Sequence, residues 1–328
     1  MLPAQLQRLM VLSCLAISLL ATGARAQDLT LATWNLEWLM TSQTYSQLLP
    51  SCDKTGQPRS QEHRFPCSPD RPPLPKRGPA DFKALARIAE SIKADLVALQ
   101  EVDGPEAGAR VFGKGWVLDC FIQRLHPQKV GFAIRQGVPY QCNAELAALD
   151  IDGSSRAGAD ITLYPGTKQA LRVLGVHLKS GCFAGPLWKK GPCPRLREQI
   201  PVLERWLDAR AQAGEAFVLA GDFNRRLEKD AQYPAGPDEQ APTSMFAALS
   251  DNQPQGAELI RATQNWAETP CSSQDKYSQG AIDNILISTS LAKRAKTLAV
   301  HRVPFAHEDV ENFVLSDHCP LVMQLKGL

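Results

Sequence analysis

Residues 316-SDHCPLV-322 set an aspartate and a histidine directly ahead of the last apolar run of the chain. Asp is depleted in strands, so two titratable groups at the mouth of a terminal strand gain meaning only if other strands offer polar groups at the same end. Four earlier runs do. The stretch 28-DLTLATWN-35 closes on Asn35, and 94-ADLVALQE-101 closes on Glu101. Likewise 171-LRVLGVHLK-179 ends on His177 and Lys179, and 216-AFVLAGDFN-224 ends on Asp222 and Asn224. Each is a strand-like run of Val, Leu and Ala that delivers polar groups at its C-terminal end. Two later runs are reversed: 282-IDNILI-287 has Asp283 at its start, as the last strand has Asp317 and His318. If all six sets meet at one end of the fold, the last two strands oppose the first four, which requires mixed sheets.

Helical periodicity fills the intervals. Phe82, Leu85, Ala89 and Ile92 share one face, with Asp81 as the expected N-cap. Leu196, Ile200, Leu203 and Leu207 do the same before Gly214, although Pro201 inside that pattern predicts a late start or a kink. Strand–helix–strand order with polar strand ends gives an α/β architecture.

The opening MLPAQLQRLMVLSCLAISLLATGARAQ carries Arg8, an apolar run from Leu9 to Leu20 and the small-x-small pattern Ala24-Arg25-Ala26. It reads as a signal peptide over residues 1–26, with residues 27–328 as a single catalytic domain and no stable membrane anchor after cleavage. A secreted or periplasmic chain is expected. Nine cysteines, with Cys14 in the leader, leave an even number for disulfides. Pairing near neighbours gives Cys52–Cys67, Cys120–Cys142 and Cys182–Cys193, leaving Cys271–Cys319. No cysteine or histidine spacing fits structural zinc. Beyond the leader the chain is neutral, which gives no global footprint for a polyanion. Residues 51–79, rich in Pro, Arg and Ser, read as a surface insertion. Cations gather there and in 188-WKKGPCPRLR-197, beside an aromatic.

Carboxylates, a carboxamide and two histidines at strand ends suit a hard divalent cation and a water nucleophile. Mg²⁺ takes oxygen ligands and needs only one or two carboxylates from a protein. Phosphoester cleavage needs an oriented water, a base and positive charge on the phosphoryl oxygens. A Ser–His–Asp hydrolase is the weaker rival, because neither Ser180 nor Ser316 lies in a G-x-S-x-G elbow. Taken alone, Asp222 and Asn224 also fit a simple Asx turn.

In this order, TWNLEWL, LQEVDG, GVHLKSG, AGDFNRR, AIDNILI and SDHCPL resemble the endonuclease/exonuclease/phosphatase superfamily, in an exported, bacterial type. The resemblance implies a four-layer α/β/β/α sandwich with two mixed β-sheets, and metal-dependent phosphodiester hydrolysis. It implies Glu101, Asn35 and Asp317 as metal ligands, with Mg²⁺ or Mn²⁺ as the ion and Ca²⁺ as a further candidate. It implies His177 on the scissile phosphate, Asp222 and Asn224 on the attacking water and phosphoryl oxygen, and His318 held by Asp283. Lys179, Arg156 and Arg225 are the candidate substrate contacts. Two departures stand out: the region from Asp119 to Arg135 offers no counterpart to a Tyr or acid that the family often carries, and Asp103 replaces a cation of the deoxyribonuclease branch. The expected activity is that of a monomeric nuclease on nucleic acid. A lipid or small-molecule phosphoesterase, sphingomyelinase-like or inositol-phosphate-like, is the alternative, with FAGPLW the nearest approach to a membrane-docking run.

Overall fold

Twelve strands form two six-stranded sheets in the computed structural model, which describes residues 28–48, 76–234, 244–264, 271 and 282–328. The strands are β1 (Leu29–Leu39), β2 (Leu96–Val102), β3 (Trp116–Asp119), β4 (Lys129–Arg135), β5 (Tyr140–Cys142), β6 (Ala159–Leu163), β7 (Leu171–His177), β8 (Phe217–Asp222), β9 (Leu259–Arg261), β10 (Asp283–Ser288), β11 (Thr297–Arg302) and β12 (Leu321–Lys326). Among them lie α1 (Ser42–Leu48), α2 (Pro79–Ile92), α3 (Pro105–Ala109), α4 (Cys193–Gln212), α5 (Met245–Leu249), α6 (Thr289–Arg294) and α7 (His307–Asn312). The first sheet runs β11-β12-β1-β2-β4-β3 and the second β5-β6-β7-β8-β10-β9.

Each sheet is mixed. β1 pairs β2 in parallel and β12 antiparallel. β8 pairs β7 in parallel and β10 antiparallel. The two reversed strands are therefore the ones whose polar residues precede their apolar run, as the sequence pattern requires.

Alternation of side chains sorts the apolar residues into layers. Leu29, Leu31 and Phe132 of the first sheet pack with Ile161, Val173, Val218 and Ile285 of the second in one core between the sheets. Trp34, Val97 and Leu99 on the outer face of the first sheet pack against Phe82, Leu85 and Ile92 of α2. Leu174, Phe217 and Leu219 on the outer face of the second pack against Leu196, Ile200 and Leu203 of α4. Helix, sheet, sheet and helix are the four expected layers.

Local details depart from the sequence reading at both helices. Gly78 is the N-cap of α2, with Pro79 at the first helical position, and Asp81 lies at N3. Its carboxylate accepts from the Gly78 N–H at 2.6 Å, so Asp81 satisfies the helix start from inside it. α4 begins at Cys193 and runs through Pro201. The apolar face buried against the second sheet outweighs the hydrogen bond that proline removes.

Disulfides join Cys120–Cys142, Cys182–Cys193 and Cys271–Cys319. The expected Cys52–Cys67 pair, the leader 1–26 and residues 51–75 of the insertion lie outside the described residues. Among the described residues no helix is long and apolar enough to cross a membrane.

Candidate active site

Strand register assembles the site. In the second sheet His177 of β7 pairs with Asp222 of β8, which pairs with Asp283 of β10, so three polar side chains stand in a row. In the first sheet Asn35 of β1 pairs with Gln100, the neighbour of Glu101 on β2. The Asn35 amide bridges the sheets, donating to Glu101 Oε1 at 3.4 Å and to Asp222 Oδ2 at 3.1 Å. His177 Nε2 lies 3.5 Å from Asp222 Oδ2 and 3.8 Å from Glu101 Oε1. His318 Nδ1 lies 2.8 Å from Asp283 Oδ2, and its Nε2 3.9 Å from Asp222 Oδ2.

The loop before β12 is tied to the same place. Ser316 Oγ donates to the Asn35 carbonyl at 2.7 Å and accepts the His318 N–H at 3.2 Å. Trp34 Nε1 donates to the His318 carbonyl at 3.0 Å. Asp317 stays at the surface with its N–H on Glu37 Oε2 at 3.2 Å. Asn224 forms an Asx turn on Asp222, with N–H to Oδ1 at 2.7 Å, and spends its amide Nδ2 on the Leu178 carbonyl at 3.0 Å. The Asx turn expected of this pair is realised there.

Backbone strain collects at these residues. Glu37, Trp38, Glu101 and Asn224 all have positive φ, at 43°, 53°, 59° and 51°. Non-glycine residues hold that region only where the surroundings impose it. At Glu37 and Trp38 the β1–β2 ladder breaks register between Asn35 and Leu39, a bulge that turns the Trp38 N–H onto Glu101 Oε2 at 3.2 Å. The strand does not end at Asn35 but continues to Leu39.

Charge at the site is polarised. Burial raises the Asp222 carboxyl to about 7, with the His318 charge pulling it down and Asp283 pushing it up. His318 is lowered by burial but driven well above the usual histidine value by Asp283, by their hydrogen bond and by Asp222 and Asp317. His177 goes the other way: burial holds it well below, with Arg156, His318, Arg124 and Lys179 adding to the effect. One imidazole is thus kept charged and the other neutral within one cleft.

Glu37 was not singled out from sequence, yet it joins the site. Burial, Asp317 and Glu101 raise its carboxyl to about 7 against the pull of Arg77. It lies in the same TWNLEWL stretch as Asn35, but the bulge and positive φ there set its direction. Asp317 and Glu101 both act on Glu37, whose Oε2 accepts the Asp317 N–H and lies 3.6 Å from Arg77 Nη2. Carboxylate oxygens of this kind suit a hard cation. Ligand atoms of Asp222, Asp283 and His318 lie within 4.8 Å of one another. There His318 Nδ1 is already committed to Asp283.

The candidate substrate contacts divide. Arg156 is buried, its Nη2 on Gln128 Oε1 at 3.3 Å, its Nε without a partner, and its charge felt by Glu101 and Asp222. Lys179 is half-buried beyond His177, its N–H on Gln199. Arg225 does not reach the cleft. It is 0% exposed, its Nη2 2.5 Å from Asp230 Oδ1, and it donates to the Cys182 carbonyl at 3.1 Å, bracing the disulfide loop from within. The stretch from Asp119 to Arg135, with no counterpart in sequence, supplies Arg124 and His126 to the site's surroundings. Asp103 accepts from Thr44 Oγ1 at 2.5 Å and pairs with Lys129 at 3.8 Å.

Paired mixed sheets thus bring carboxylates, a carboxamide and two histidines together at strand ends, groups suited to phosphoester hydrolysis. A model of the Endonuclease/Exonuclease/phosphatase family matches residues 32–318, and the chain belongs to that family. Family enzymes use divalent metals. The fold is shared with truncated TDP2 of Caenorhabditis elegans, at 13% identity and TM-score 0.56 over 92% of this chain and 99% of that one. It is shared with the Xenopus laevis APE2 catalytic domain, at 13% identity and TM-score 0.52 over 91% and 93%. An AP endonuclease from Archaeoglobus fulgidus matches at 13% and TM-score 0.50 over 90% and 98%. No curated protein sequence matches the chain.

Proposed function

We propose that the chain is an exported, divalent-metal-dependent nuclease that hydrolyses phosphodiester bonds in nucleic acid. The observation that carries this is the junction of the two sheets, where Asn35 links Glu101 to Asp222 while His318, charged by Asp283, stands opposite neutral His177. Glu101, Glu37, Asp317 and Asn35 would hold Mg²⁺ or Mn²⁺, which when bound neutralises phosphoryl charge and polarises the ester. Asp222, its carboxyl near 7, accepts a proton from the attacking water. His318 sets positive charge against the phosphoryl oxygens, and His177 donates a hydrogen bond to the same group without carrying charge. Arg156 supplies a further cation beside Glu101 and Asp222.

One neighbour in fold is an AP endonuclease, which supports this choice of substrate by analogy. Three disulfides support export to an oxidising compartment. One observation favours a second reading. Phe183 and Trp188 on the loop closed by Cys182–Cys193 are each 40% exposed, an apolar pair that a lipid-surface enzyme could use. One panel with Mg²⁺ or Mn²⁺ decides: plasmid DNA, single-stranded RNA, sphingomyelin vesicles and inositol phosphates. Fast turnover of either nucleic acid is expected. Turnover of sphingomyelin or an inositol phosphate with nucleic acid left intact would overturn the nuclease reading.

A further inference from the structure

Residues 120–128, between β3 and β4, lie at the end of the first sheet that carries Glu101, because Val102 of β2 pairs with Lys129 at the start of β4. This segment is held along most of its length. Cys120 is bonded to Cys142, and Ile122 is buried with its N–H on the Val130 carbonyl at 3.0 Å. The Gln123 N–H donates to Glu145 Oε2 at 2.6 Å, and the Arg124 guanidinium donates to the Ser155 carbonyl. The His126 ring lies 5.3 Å from the Trp38 ring, and the Gln128 N–H donates to His126 Nδ1 at 3.2 Å.

Leu125 is the exception. Its relative exposure is 107%, so the whole side chain stands in water. Its place is close to the chemistry: His126 is its chain neighbour, His126 meets Trp38, and the Trp38 N–H is on Glu101. A single exposed leucine on a mobile, polar surface would need no explanation. One pinned outward, two contacts from a central carboxylate, is a built feature.

The surroundings choose the occupant. Arg124, half-buried, is the chain neighbour of Leu125, and buried Arg156 reaches Gln128 of the same segment. The sequence neighbours of Leu125 are Gln123, Arg124, His126 and Gln128, which gives no contiguous apolar area of the kind a bilayer contact requires. A nucleic acid fits both properties: a phosphate meets Arg124, and a base step admits an apolar wedge. We propose that Leu125 enters the base stack beside the cleaved phosphodiester, unstacking one step and fixing where along the strand the cut falls. This rests on the nuclease reading above.

The test compares the unchanged chain with Leu125→Ala and Leu125→Ser, each checked for an unaltered melting temperature. Substrates are a duplex oligonucleotide and bis(p-nitrophenyl) phosphate, a diester with no base stack. The ratio of kcat/KM for the oligonucleotide to that for the small diester is expected to fall about tenfold, mainly through KM, because the small diester has no stack for Leu125 to enter. In an Asp222→Asn background, 2-aminopurine beside the cleaved step is expected to brighten on binding when Leu125 is present and to stay quenched when Leu125→Ala is added. An unchanged ratio with the brightening intact overturns the wedge and leaves the nuclease reading standing. Cleavage of the small diester with no nucleic acid cut overturns both. Binding to phosphatidylglycerol vesicles that is lost in Leu125→Ala, with the ratio unchanged, also overturns the wedge and makes Leu125 a membrane contact.

Discussion

Asp283→Asn removes one charge and keeps the shape of the side chain. Asp283 Oδ2 is 2.8 Å from His318 Nδ1, with side chains 9% and 14% exposed. Unit charges about 4 Å apart at an effective dielectric of ~20 attract by about 4 kcal/mol. Asn keeps a hydrogen bond but offers none of that attraction, and stranding a buried charge costs about 3–5 kcal/mol. The pH dependence has a definite sign. A histidine raised in the folded state contributes stability that is complete below its unfolded value and lost as pH rises through its folded value. His318 is raised, chiefly by Asp283 once burial is overcome. The deficit in melting temperature of Asp283→Asn should therefore be greatest in acid and shrink in alkali, where His318 is neutral in both proteins. Initial rates on bis(p-nitrophenyl) phosphate with Mg²⁺ should fall by about 10²–10⁴ near neutrality. The alkaline limb of the rate profile should move to lower pH. A deficit independent of pH, with that limb unmoved, would refute the claim that Asp283 keeps His318 charged.

Gly221→Ala should destabilise the fold by about 3 kcal/mol or more in urea denaturation, because an added Cβ would lie 1.9 Å from the Val176 carbonyl oxygen of the paired strand. Near-normal stability would contradict the β7–β8 register that sets His177 beside Asp222. Replacing Cys182 and Cys193 together by Ser should cost about 3 kcal/mol by the same measurement, the loop-closure value for a crosslink of this span. A loss too small to detect would mean that Arg225 and Asp230 hold the loop unaided. Glu37, proposed to hold the cation with Glu101 and Asp317, binds a proton up to about 7 that a divalent cation must displace. The rise in melting temperature on adding Mg²⁺ should be small near pH 5 and grow through about pH 8; an equal rise at both would contradict cation binding at these carboxylates.

Six sets of polar residues were legible because apolar runs of strand length ended or began on them, and an order of parallel and reversed strands followed from which end they occupied. Register then made neighbours of His177, Asp222 and Asp283, residues far apart in the chain. What sequence could not convey was burial of charge. Arg225 follows Asn224 directly and reads as a cation for substrate, but Asp230 and the Cys182 carbonyl satisfy it in the interior. Glu37 lay inside a motif yet went unread, because the bulge and positive φ that aim it depend on pairing with β2. The cations of Arg124 and Arg156 likewise meet only in three dimensions. Pro201 predicted a late start or a kink in α4, but the helix starts early, at Cys193, because its apolar face packs on the second sheet.

The central claim is that Glu101 lies at the heart of a cation-dependent phosphodiesterase. The direct measurement is nucleic-acid cleavage by the metal-free chain titrated with Mg²⁺, beside a Glu101→Gln variant of unaltered melting temperature. The account predicts silence in excess chelator, recovery on titration, and a variant slower by orders of magnitude at every Mg²⁺ concentration. Full cleavage in chelator, or a Glu101→Gln variant as fast as the unchanged chain, would contradict it.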